Sequence, residues 1–504
     1  MSERERTDSP GTRDTPGVDL EPVIGLEIHV QLSTRTKMFC GCVLSFGEPP
    51  NTRTCPVCLG LPGTLPVVNE RAIHFGLMIG MALECELAPR SVFHRKNYFY
   101  PDLPKGYQIS QYDEPLARRG RLGEVRIHRV HLEEDAAKLV HVGTSGRIHG
   151  SDVSVVDFNR GGTPLVEIVT EPDVRSGEQA REWLTLLRTT LRQLGVSDVD
   201  MSQGSLRCDA NVSVRPRGSK ELGTKTELKN MNSFKFLEQG IRAEVERQIE
   251  VVRSGGAVEQ ETLHFDPSTG TLSLLRSKEE AHDYRYFPEP DLIPVRVTDE
   301  MLAAARHALP ELPAARADRY ETTLGLNTSA ARHLATRSEL GEYFEDALRE
   351  LAAASDGGRT PPPEETVQQL ANWVTGELVS RLGESDPRES NVSPSALAGV
   401  VAMLASKSIS VGAARQVLDR LVAEGGDPAQ IVELEGLAGL GGDAAEELAP
   451  IVAAAIEAHP EAAARMRAGN DKAIGPIVGQ VMRETRGRAD GAEVTRLVRE
   501  QLGV

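Results

Sequence analysis

The stretch VIGLEIHVQL, residues 23 to 32, indicates how the first half of the chain folds. Apolar and polar residues alternate along it, with Ile24 and Ile28 in the apolar set, and this is the period of a β-strand that buries one face. The other face carries Glu27 and His29, two positions apart. Solvated strand faces usually carry Thr, Lys or Ser, so this pair raises the question of a functional site.

The length and composition of the chain are those of a large globular protein. Its 504 residues exceed the size at which one hydrophobic core stops growing, which predicts about two to four domains. Hydrophobic residues make up 39% and charged residues 26%, and no apolar run is long enough to span a membrane. The formal charge of -17 argues against indiscriminate binding to nucleic acid but leaves room for a local basic patch. The polar N-terminus lacks the apolar core of a signal peptide, which predicts a cytoplasmic protein.

The composition and hydrophobic periodicity of the sequence change along the chain. A polar start rich in Pro and Gly predicts disorder, and the short alternating runs that follow predict a sheet-rich α+β domain with helices at about 176–194 and 233–253. Ala-rich segments with helical spacing then predict an all-helical region with a hinge at 383–393. We therefore predict four segments, covering residues 1–19, 20–295, 296–392 and 393–504.

Four of the six cysteines lie within one short stretch, as Cys40, Cys42, Cys55 and Cys58. Two close pairs separated by a short loop can place four thiolates tetrahedrally around Zn²⁺, and in so large a chain this spacing suits a metal better than a disulfide framework. Four thiolates leave no open position for water, so such a site is structural. Free cysteines in a reducing cytosol remain the alternative. Cys85 and Cys208 lie in apolar alternation and are expected in the core.

Acidic residues accompany several apolar runs. HLEEDAAK supplies Glu133, Glu134 and Asp135, and TPLVEIVTEP places Glu167 inside an otherwise apolar strand. A buried carboxylate is paired, protonated or bound to metal, so Glu167 requires a partner. With Glu27 and His29, these acids form the oxygen-rich, partly imidazole set that Mg²⁺ or Mn²⁺ accepts. Sequence spacing does not show that they converge, and ordinary ion pairs remain the alternative for each acid.

Two groups of cations are candidates for phosphate contacts. Arg95, Lys96, Arg160 and Lys229 lie within motifs rich in polar and aromatic residues. Near the C-terminus, residues 465–488 contain six Lys or Arg residues and only two acidic ones, for which a phosphate-contacting surface and a solvated helix face are both open interpretations. The sequence has no GxxxxGK[ST] loop and no kinase signature, so a nucleotide would bind in another manner.

Eight motifs follow one another in the sequence, namely GLEIHVQL, CPVCLGLPGTLPVVN, RKNYFYPDLPKGYQISQY, HLEEDAAKL, FNRGGTPLVEIVTEPD, GSLRCDANVSVRP, ELKNMNSF and DYRYFPEPDL. In this order they resemble the B subunit of the tRNA-dependent amidotransferases, the GatB/GatE family. The resemblance is dense over residues 22–295, and AIGPIVGQVMRETRGRAD resembles the YqeY-like tail of that family. The departures are small: Ala137 stands where the family commonly has Gly, and Phe158 where it commonly has Tyr.

The resemblance implies a sheet-rich cradle domain with the active site, followed by an all-helical region whose YqeY-like tail grips tRNA. It implies a ligase, active as a heterotrimer, that forms a carbon–nitrogen bond and converts misacylated Glu-tRNA(Gln) or Asp-tRNA(Asn) to Gln-tRNA(Gln) or Asn-tRNA(Asn). In this family the A subunit hydrolyses glutamine, and the C subunit holds A against B. The B subunit recognises the tRNA and uses ATP and Mg²⁺ to phosphorylate the side-chain carboxylate, after which ammonia from A displaces phosphate.

Carried over by motif, the resemblance implies a catalytic and Mg²⁺-binding set consisting of Glu27, His29, Glu133, Glu134 and Glu167. It implies phosphate or substrate contacts by Arg160, Arg207 and Lys229, and a structural Zn²⁺ on the four cysteines in part of the family. Phosphoryl transfer depends on positioning and charge neutralisation, which agrees with the absence of an evident nucleophile motif. Two other classes of protein remain open: a non-catalytic tRNA-binding scaffold whose acids are structural, and a free-standing zinc hydrolase.

Overall fold

The structure is a computed structural model that describes residues 19–45, 47–142, 151–229, 231–277, 284–354, 361–383, 385–439, 444–485, 488–489 and 491–504. The chain divides into two compact units, Met1–Leu312 and Pro313–Val504. The extension predicted at 1–19 lies outside the described residues except for its last residue.

The first unit is built on β-strands, as the alternating runs predict. Its strands are β1 (Leu20–Gln31), β2 (Glu86–Leu87), β3 (Arg90–Ser91), β4 (Phe93–Asn97), β5 (Tyr107–Gln111), β6 (Ala117–Leu122), β7 (Val125–Glu134), β8 (Lys138–Val142), β9 (Val153–Asp157), β10 (Pro164–Thr170), β11 (Leu206–Pro216), β12 (Thr226–Lys229), β13 (Glu261–Asp266), β14 (Thr271–Ser277), β15 (Phe287–Pro288) and β16 (Val295–Arg296). Its helices are α1 (Glu70–Ala82), α2 (Gly177–Gln193), α3 (Phe234–Arg253) and α4 (Asp299–Ala308).

The main sheet places β1 at its centre. Among the described residues it has nine strands in the order β14-β13-β12-β11-β1-β10-β7-β6-β2, and the pairs are antiparallel except for the parallel pair β12 and β13. Three smaller sheets have the orders β15-β4-β5, β16-β3 and β8-β9. Antiparallel pairing on both sides of β1 brings side chains from β7, β10 and β11 onto the polar face of the quoted strand.

The helices of the first unit contribute to the core beneath that face. Ile24 and Ile28 are fully buried, and they belong to the same hydrophobic core as residues of α1, α2 and α3. The two predicted helices are confirmed as α2 and α3, whose caps Ser176 and Ser233 each accept a backbone N–H three residues on at 3.1 Å. Helix α4 also packs on this core, through Ala305, so the first unit continues beyond residue 295.

The second unit is helical throughout its described part, which confirms the predicted α+β class with a helical second half. Its α-helices are α5 (Pro313–Leu324), α6 (Thr328–Thr336), α7 (Ser338–Ala354), α8 (Glu364–Asn372), α9 (Val379–Leu382), α10 (Pro394–Ala405), α11 (Val411–Glu424), α12 (Pro428–Glu435), α13 (Ala444–Ala458), α14 (Pro460–Arg467), α15 (Gly475–Glu484) and α16 (Gly491–Leu502). A π-helical turn at Trp373–Leu378 joins α8 to α9, and 3₁₀ turns lie at Pro387–Glu389 and Asp471–Ile474.

The hinge predicted at 383–393 is wrong. One hydrophobic core includes residues from Tyr320 to Leu437, on both sides of that segment. The fully buried hydroxyl of Tyr343 donates to the carbonyl of Val392 at 2.9 Å, which fixes the end of the segment to α7. A separate core lies between Leu448 and Leu502. Apolar residues on both sides of the segment make the helices share a core. The four-segment division itself stays a prediction.

No helix in the described ranges has both the length and the apolar character required to cross a membrane.

Candidate active site and cysteine metal centre

The registers of four strands place a row of functional side chains on the polar face of the main sheet. His29 of β1 lies opposite Glu167 of β10 and, on its other side, opposite Arg207 of β11. Glu167 in turn lies opposite His131 of β7. Glu133 is two residues beyond His131, so the strand period puts it on the same face. Residues separated by more than a hundred positions thus converge because the strands are adjacent.

His29, Glu133 and Glu167 form a compact group. One ligand atom from each lies within 4.8 Å of the others. His29 Nε2 is 3.5 Å from Glu167 Oε2 and 3.7 Å from Glu133 Oε1. Both carboxylates are almost fully buried, and Ser110 donates a hydrogen bond to Glu133 Oε2 at 3.0 Å. The isolated carboxylate of PLVEIV therefore has the partners that its burial requires.

Imidazoles keep both buried carboxylates ionised. Burial opposes ionisation of Glu167, but His131, whose Nε2 is 3.0 Å from Glu167 Oε2, and His29 hold the pKa of this carboxyl well below its usual value. Burial opposes ionisation of Glu133 as well, and a hydrogen bond from His131 lowers the pKa of that carboxyl. Burial disfavours the charged form of His131, but Glu167 and Glu133 raise the pKa of this imidazole to about 9.

The chemistry of this donor set fits a hard divalent cation. Two carboxylates and one imidazole are ligands that Mg²⁺ and Mn²⁺ accept, and three protein ligands leave further positions of a six-coordinate ion for water or phosphate oxygens. The three residues come from three strands of one sheet, which fixes their separation. The group could therefore hold such an ion next to a bound phosphate.

Two residues of the predicted ligand set are not part of the three-residue group. Glu27 lies two positions from His29, about 7 Å along the strand, and its Oε1 accepts a hydrogen bond from Asn211 at 2.8 Å. Glu134 follows Glu133 directly and so points to the opposite face of β7. There its Oε1 accepts the backbone N–H of Ile109 at 3.0 Å and the ammonium group of Lys105. Glu134 is therefore wrong as a ligand of the same ion as Glu133.

Of the three cations that the family motifs predict, Arg207 is the one in the row itself. Its Nη2 is 2.9 Å from buried Asp135, while its Nε is buried without a hydrogen-bond partner among the described residues. Arg160 instead donates to the carbonyls of Ala136 and Ala137, at 2.9 and 2.8 Å. These two hydrogen bonds hold it against the chain that follows β7.

Lys229 lies on β12, opposite Asp209 of β11. Its Nζ is 2.8 Å from Asp209 and 3.0 Å from Glu227. Burial disfavours its charged form, but these two carboxylates raise the pKa of the ammonium group above its usual value. Lys229 is therefore charged and already paired.

The ligand prediction missed His131, although the alternation of HLEED places it on the face of Glu133. Lys96, another of the candidate cations, has a place beside the three-residue group. Burial lowers the pKa of its ammonium group, but Glu133, Tyr286 and Glu167 outweigh this and raise it. Its Nζ lies 4.8 Å from the ring centre of Tyr284, and Tyr286 stacks on Tyr112 at 4.2 Å between ring centres. Lys96 thus lies against an aromatic ring, and the carboxylates of the three-residue group favour its charged form.

The four clustered cysteines converge as their spacing predicts. Their sulfur atoms lie within 4.8 Å of one another, and each residue is half-buried. A hydrogen bond from Cys40 is the main cause that lowers the pKa of the Cys58 thiol to about 4, and burial is the main cause that raises the pKa of Cys42 to about 11. Four sulfur donors fit tetrahedral Zn²⁺ and leave no open position. Cys208 lies in the sheet core as predicted, while Cys85 is only partly buried against it.

The basic segment near the C-terminus is exposed where it is described, except for Arg488, which is half-buried and donates to the carbonyl of Thr485 at 3.3 Å. Arg465, Arg467, Lys472 and Arg483 are exposed on α14, on the 3₁₀ turn and on α15. Arg486 of the same segment lies outside the described residues. The exposure is compatible with a phosphate-contacting surface and equally with a solvated face.

Comparison with known proteins places this chain in a family. The family model of the GatB/GatE catalytic domain matches residues 22–303, and that of a GatB domain matches residues 363–502. A protein from Persephonella marina is 45% identical, over 96% of this chain and 100% of its own length. A protein from Frankia casuarinae is 48% identical, over 96% of this chain and 96% of its own length. A protein from Anaeromyxobacter dehalogenans is 46% identical, over 97% of this chain and 100% of its own length.

All three relatives carry the name of the B subunit of an aspartyl/glutamyl-tRNA(Asn/Gln) amidotransferase. Matches of this extent show that the chain belongs to the GatB family, the B subunits of tRNA amidotransferases. The sheet with the three-residue group lies inside the region that matches the catalytic domain.

Proposed function

We propose that this chain is the subunit of a glutamine-dependent amidotransferase that binds misacylated tRNA and activates its side-chain carboxylate with ATP. The substrates are Glu-tRNA(Gln), Asp-tRNA(Asn) or both, and the products are Gln-tRNA(Gln) and Asn-tRNA(Asn). The enzyme is a ligase that acts as a heterotrimer with an A subunit, which supplies ammonia from glutamine, and a C subunit. The names of the relatives and the chemistry of the sheet site together support this proposal.

One observation carries the proposal: His29 and the buried carboxylates of Glu133 and Glu167 meet in one group, and Arg207 lies opposite His29. A carboxylate is a poor electrophile because its leaving group would be an oxide ion. When a side-chain carboxylate oxygen attacks the γ-phosphorus of ATP, ADP leaves and the carboxylate becomes an acyl phosphate. Ammonia then attacks the acyl carbon, inorganic phosphate leaves, and the amide nitrogen loses a proton to solvent.

Each step can be served by side chains of this chain without a protein nucleophile. His29, Glu133 and Glu167 would hold Mg²⁺, which when bound neutralises charge on the phosphate oxygens. Lys96 and the buried Nε of Arg207, which has no hydrogen-bond partner in the described ranges, would donate to phosphate or acyl oxygens.

The second unit suits the tRNA-binding part of the function. The exposed cations on α14 and α15 lie in the region that matches the GatB domain model. Contacts with tRNA phosphates would be weakened by salt, roughly in proportion to the number of contacts. The cysteine centre, with Zn²⁺, would act as a structural support.

The test uses the chain co-expressed with A and C subunits and assayed on misacylated tRNA. We expect Glu167→Gln to lower ATP-dependent conversion by about 100-fold or more, with ammonium chloride as nitrogen donor to bypass the A subunit. The matched control is Glu171→Gln, on the same stretch of chain, where the carboxylate contacts His128 at the surface. The control should retain conversion within about twofold.

Three outcomes would contradict the proposal. Full conversion by Glu167→Gln would favour a scaffold whose acids are structural. Glutamine hydrolysis without any conversion of tRNA by the unmodified complex would exclude the assigned reaction. Hydrolase activity of the isolated chain that disappears in a folded Cys58 variant would favour a zinc hydrolase.

A further inference from the structure

Lys37 is a lysine whose burial demands an explanation. The residue is only 1% exposed, although lysine is almost never fully buried without a partner. Its Nζ donates to the carbonyl of Phe158 at 3.0 Å and approaches Cys58 Sγ at 3.7 Å. A carbonyl oxygen is a dipole and does not neutralise an ammonium ion, so the sulfur of Cys58 is the charged partner that these contacts provide.

The cysteine centre needs a positive neighbour for the same reason. Four thiolates outnumber the charge of one Zn²⁺, which leaves the centre with excess negative charge in a half-buried place. Cys58 Sγ also accepts the backbone N–H of Cys55 at 3.2 Å. N–H donors to ligand sulfur atoms belong to the outer shell that orients metal ligands and tunes affinity. Lys37 adds a full positive charge to that shell.

The same lysine joins the cysteine centre to the loop that precedes β10. Phe158, its carbonyl partner, begins the turn that contains Arg160 and Gly162. Gly162 has a positive φ of 86°, and a Cβ there would lie 3.3 Å from Lys37 Cδ. The carbonyl of Gly162 accepts the N–H of Met38 at 2.7 Å, so backbone and side chain of residues 37 and 38 both hold this loop.

The loop in turn supports the end of β7, next to the three-residue group. The N–H of Gly162 donates to the carbonyl of Asp135 at 2.8 Å, and the N–H of Asp135 donates to the carbonyl of Thr163 at the same distance. Asp135 is the buried partner of Arg207. A continuous series of contacts therefore runs from Cys58 through Lys37 and the loop 158–163 to the strand that carries Glu133.

We infer that Lys37 is a positioning residue of the cysteine metal centre: it compensates the charge of the Cys58 thiolate and ties the centre to the loop 158–163. The inference rests on the zinc site of the proposed function. Removal of the ammonium group should weaken zinc binding, and removal of zinc should loosen the loop.

The first test measures zinc affinity of the full chain by competition with a chromophoric chelator. We expect Lys37→Met to weaken binding by about 10- to 100-fold, and Lys37→Arg, which keeps the charge, to weaken it less. Lys105→Met is the matched control, because Lys105 is a half-buried lysine whose ammonium group pairs with the carboxylate of Glu134 instead of a sulfur. Its zinc affinity should match that of the unmodified chain.

Unchanged zinc affinity in folded Lys37→Met, or an equal loss in Lys105→Met, would overturn the inference. Failure of the unmodified chain to bind zinc would instead overturn the zinc site itself, so the two failures are distinguishable.

A second measurement uses only the unmodified chain, so its result does not depend on whether a variant folds. Amide hydrogen exchange of the unmodified chain is compared before and after zinc is removed with a chelator. We expect faster exchange at Gly162 and Thr163, whose N–H groups are hydrogen-bonded within this loop and to Asp135. Exchange that increases only within residues 40–58 would show that Lys37 does not tie the centre to the loop.

Discussion

Glu133 and Glu134 are adjacent in the chain but point to opposite faces of β7, and this difference provides a sharp test of the metal site. We predict that Glu133→Gln weakens Mn²⁺ binding by about 100-fold. The substitution removes one of the two buried carboxylates of the three-residue group, which should cost at least as much as the roughly 10- to 100-fold loss seen when outer-shell partners are removed. Glu134→Gln makes the same chemical change on the other face and should leave the affinity within about twofold.

The effect on stability follows from the affinity. At a Mn²⁺ concentration about 100 times its dissociation constant, the metal stabilises the unmodified chain by about 2.7 kcal/mol. A variant that binds about 100-fold more weakly gains only about 0.4 kcal/mol at that concentration. Each variant is compared with its own metal-free state, because Glu134→Gln loses the contact with Lys105 and lowers the baseline stability.

The assay combines an electron paramagnetic resonance titration of free Mn²⁺ with denaturant unfolding in the presence and absence of the metal. Equal loss of affinity in the two variants would refute the argument from strand faces. Unchanged affinity in Glu133→Gln would refute the assignment of Glu133 as a ligand.

Three further perturbations test other parts of the structure. Ile28→Ala removes a fully buried side chain of β1 and should lower the free energy of unfolding by about 2–5 kcal/mol in urea denaturation. Asp173→Asn should cost about 1–2 kcal/mol at pH 7. Hydrogen bonds from Arg126 lower the pKa of Asp173 in the folded chain. The ionised carboxylate therefore stabilises the fold fully above the unfolded pKa of about 3.9, and this stabilisation is lost as the pH falls through the lower pKa of the folded state. The destabilisation by Asp173→Asn, measured by urea denaturation, should disappear over the same pH range. Cys55→Ser should abolish stoichiometric zinc in metal analysis, while Mn²⁺ should still bind, because the three-residue group contains no cysteine.

The sequence predicts the local parts of the candidate site well. Alternation in VIGLEIHVQL is sufficient to place His29 opposite the buried face of its strand, and the short spacing of Cys55 and Cys58 is sufficient to indicate a metal knuckle. The same alternation rule, applied to HLEED, separates Glu133 from Glu134. The family resemblance assigns both to one ion, and strand geometry corrects that assignment.

The pairing of strands that are distant in the sequence could not be predicted from the spacing of residues within motifs. His29 meets Glu167 because β1 lies between β10 and β11, and the order of strands depends on the packing of the whole sheet. The hinge prediction failed for a related reason. Gly and Pro report where the chain turns, but whether the helices on both sides share a core depends on side chains such as Tyr343, whose contact with Val392 no local pattern reveals.

We propose that this chain activates the side-chain carboxylate of misacylated tRNA by phosphorylation at the His29, Glu133 and Glu167 group. The most direct measurement uses Glu-tRNA(Gln) with ¹⁸O in the side-chain carboxylate and the assembled enzyme with ATP and ammonium. We predict that each amide formed transfers one ¹⁸O atom to inorganic phosphate, and that Glu133→Gln abolishes both products. Amide formation without ¹⁸O in phosphate would exclude activation of the carboxylate as an acyl phosphate.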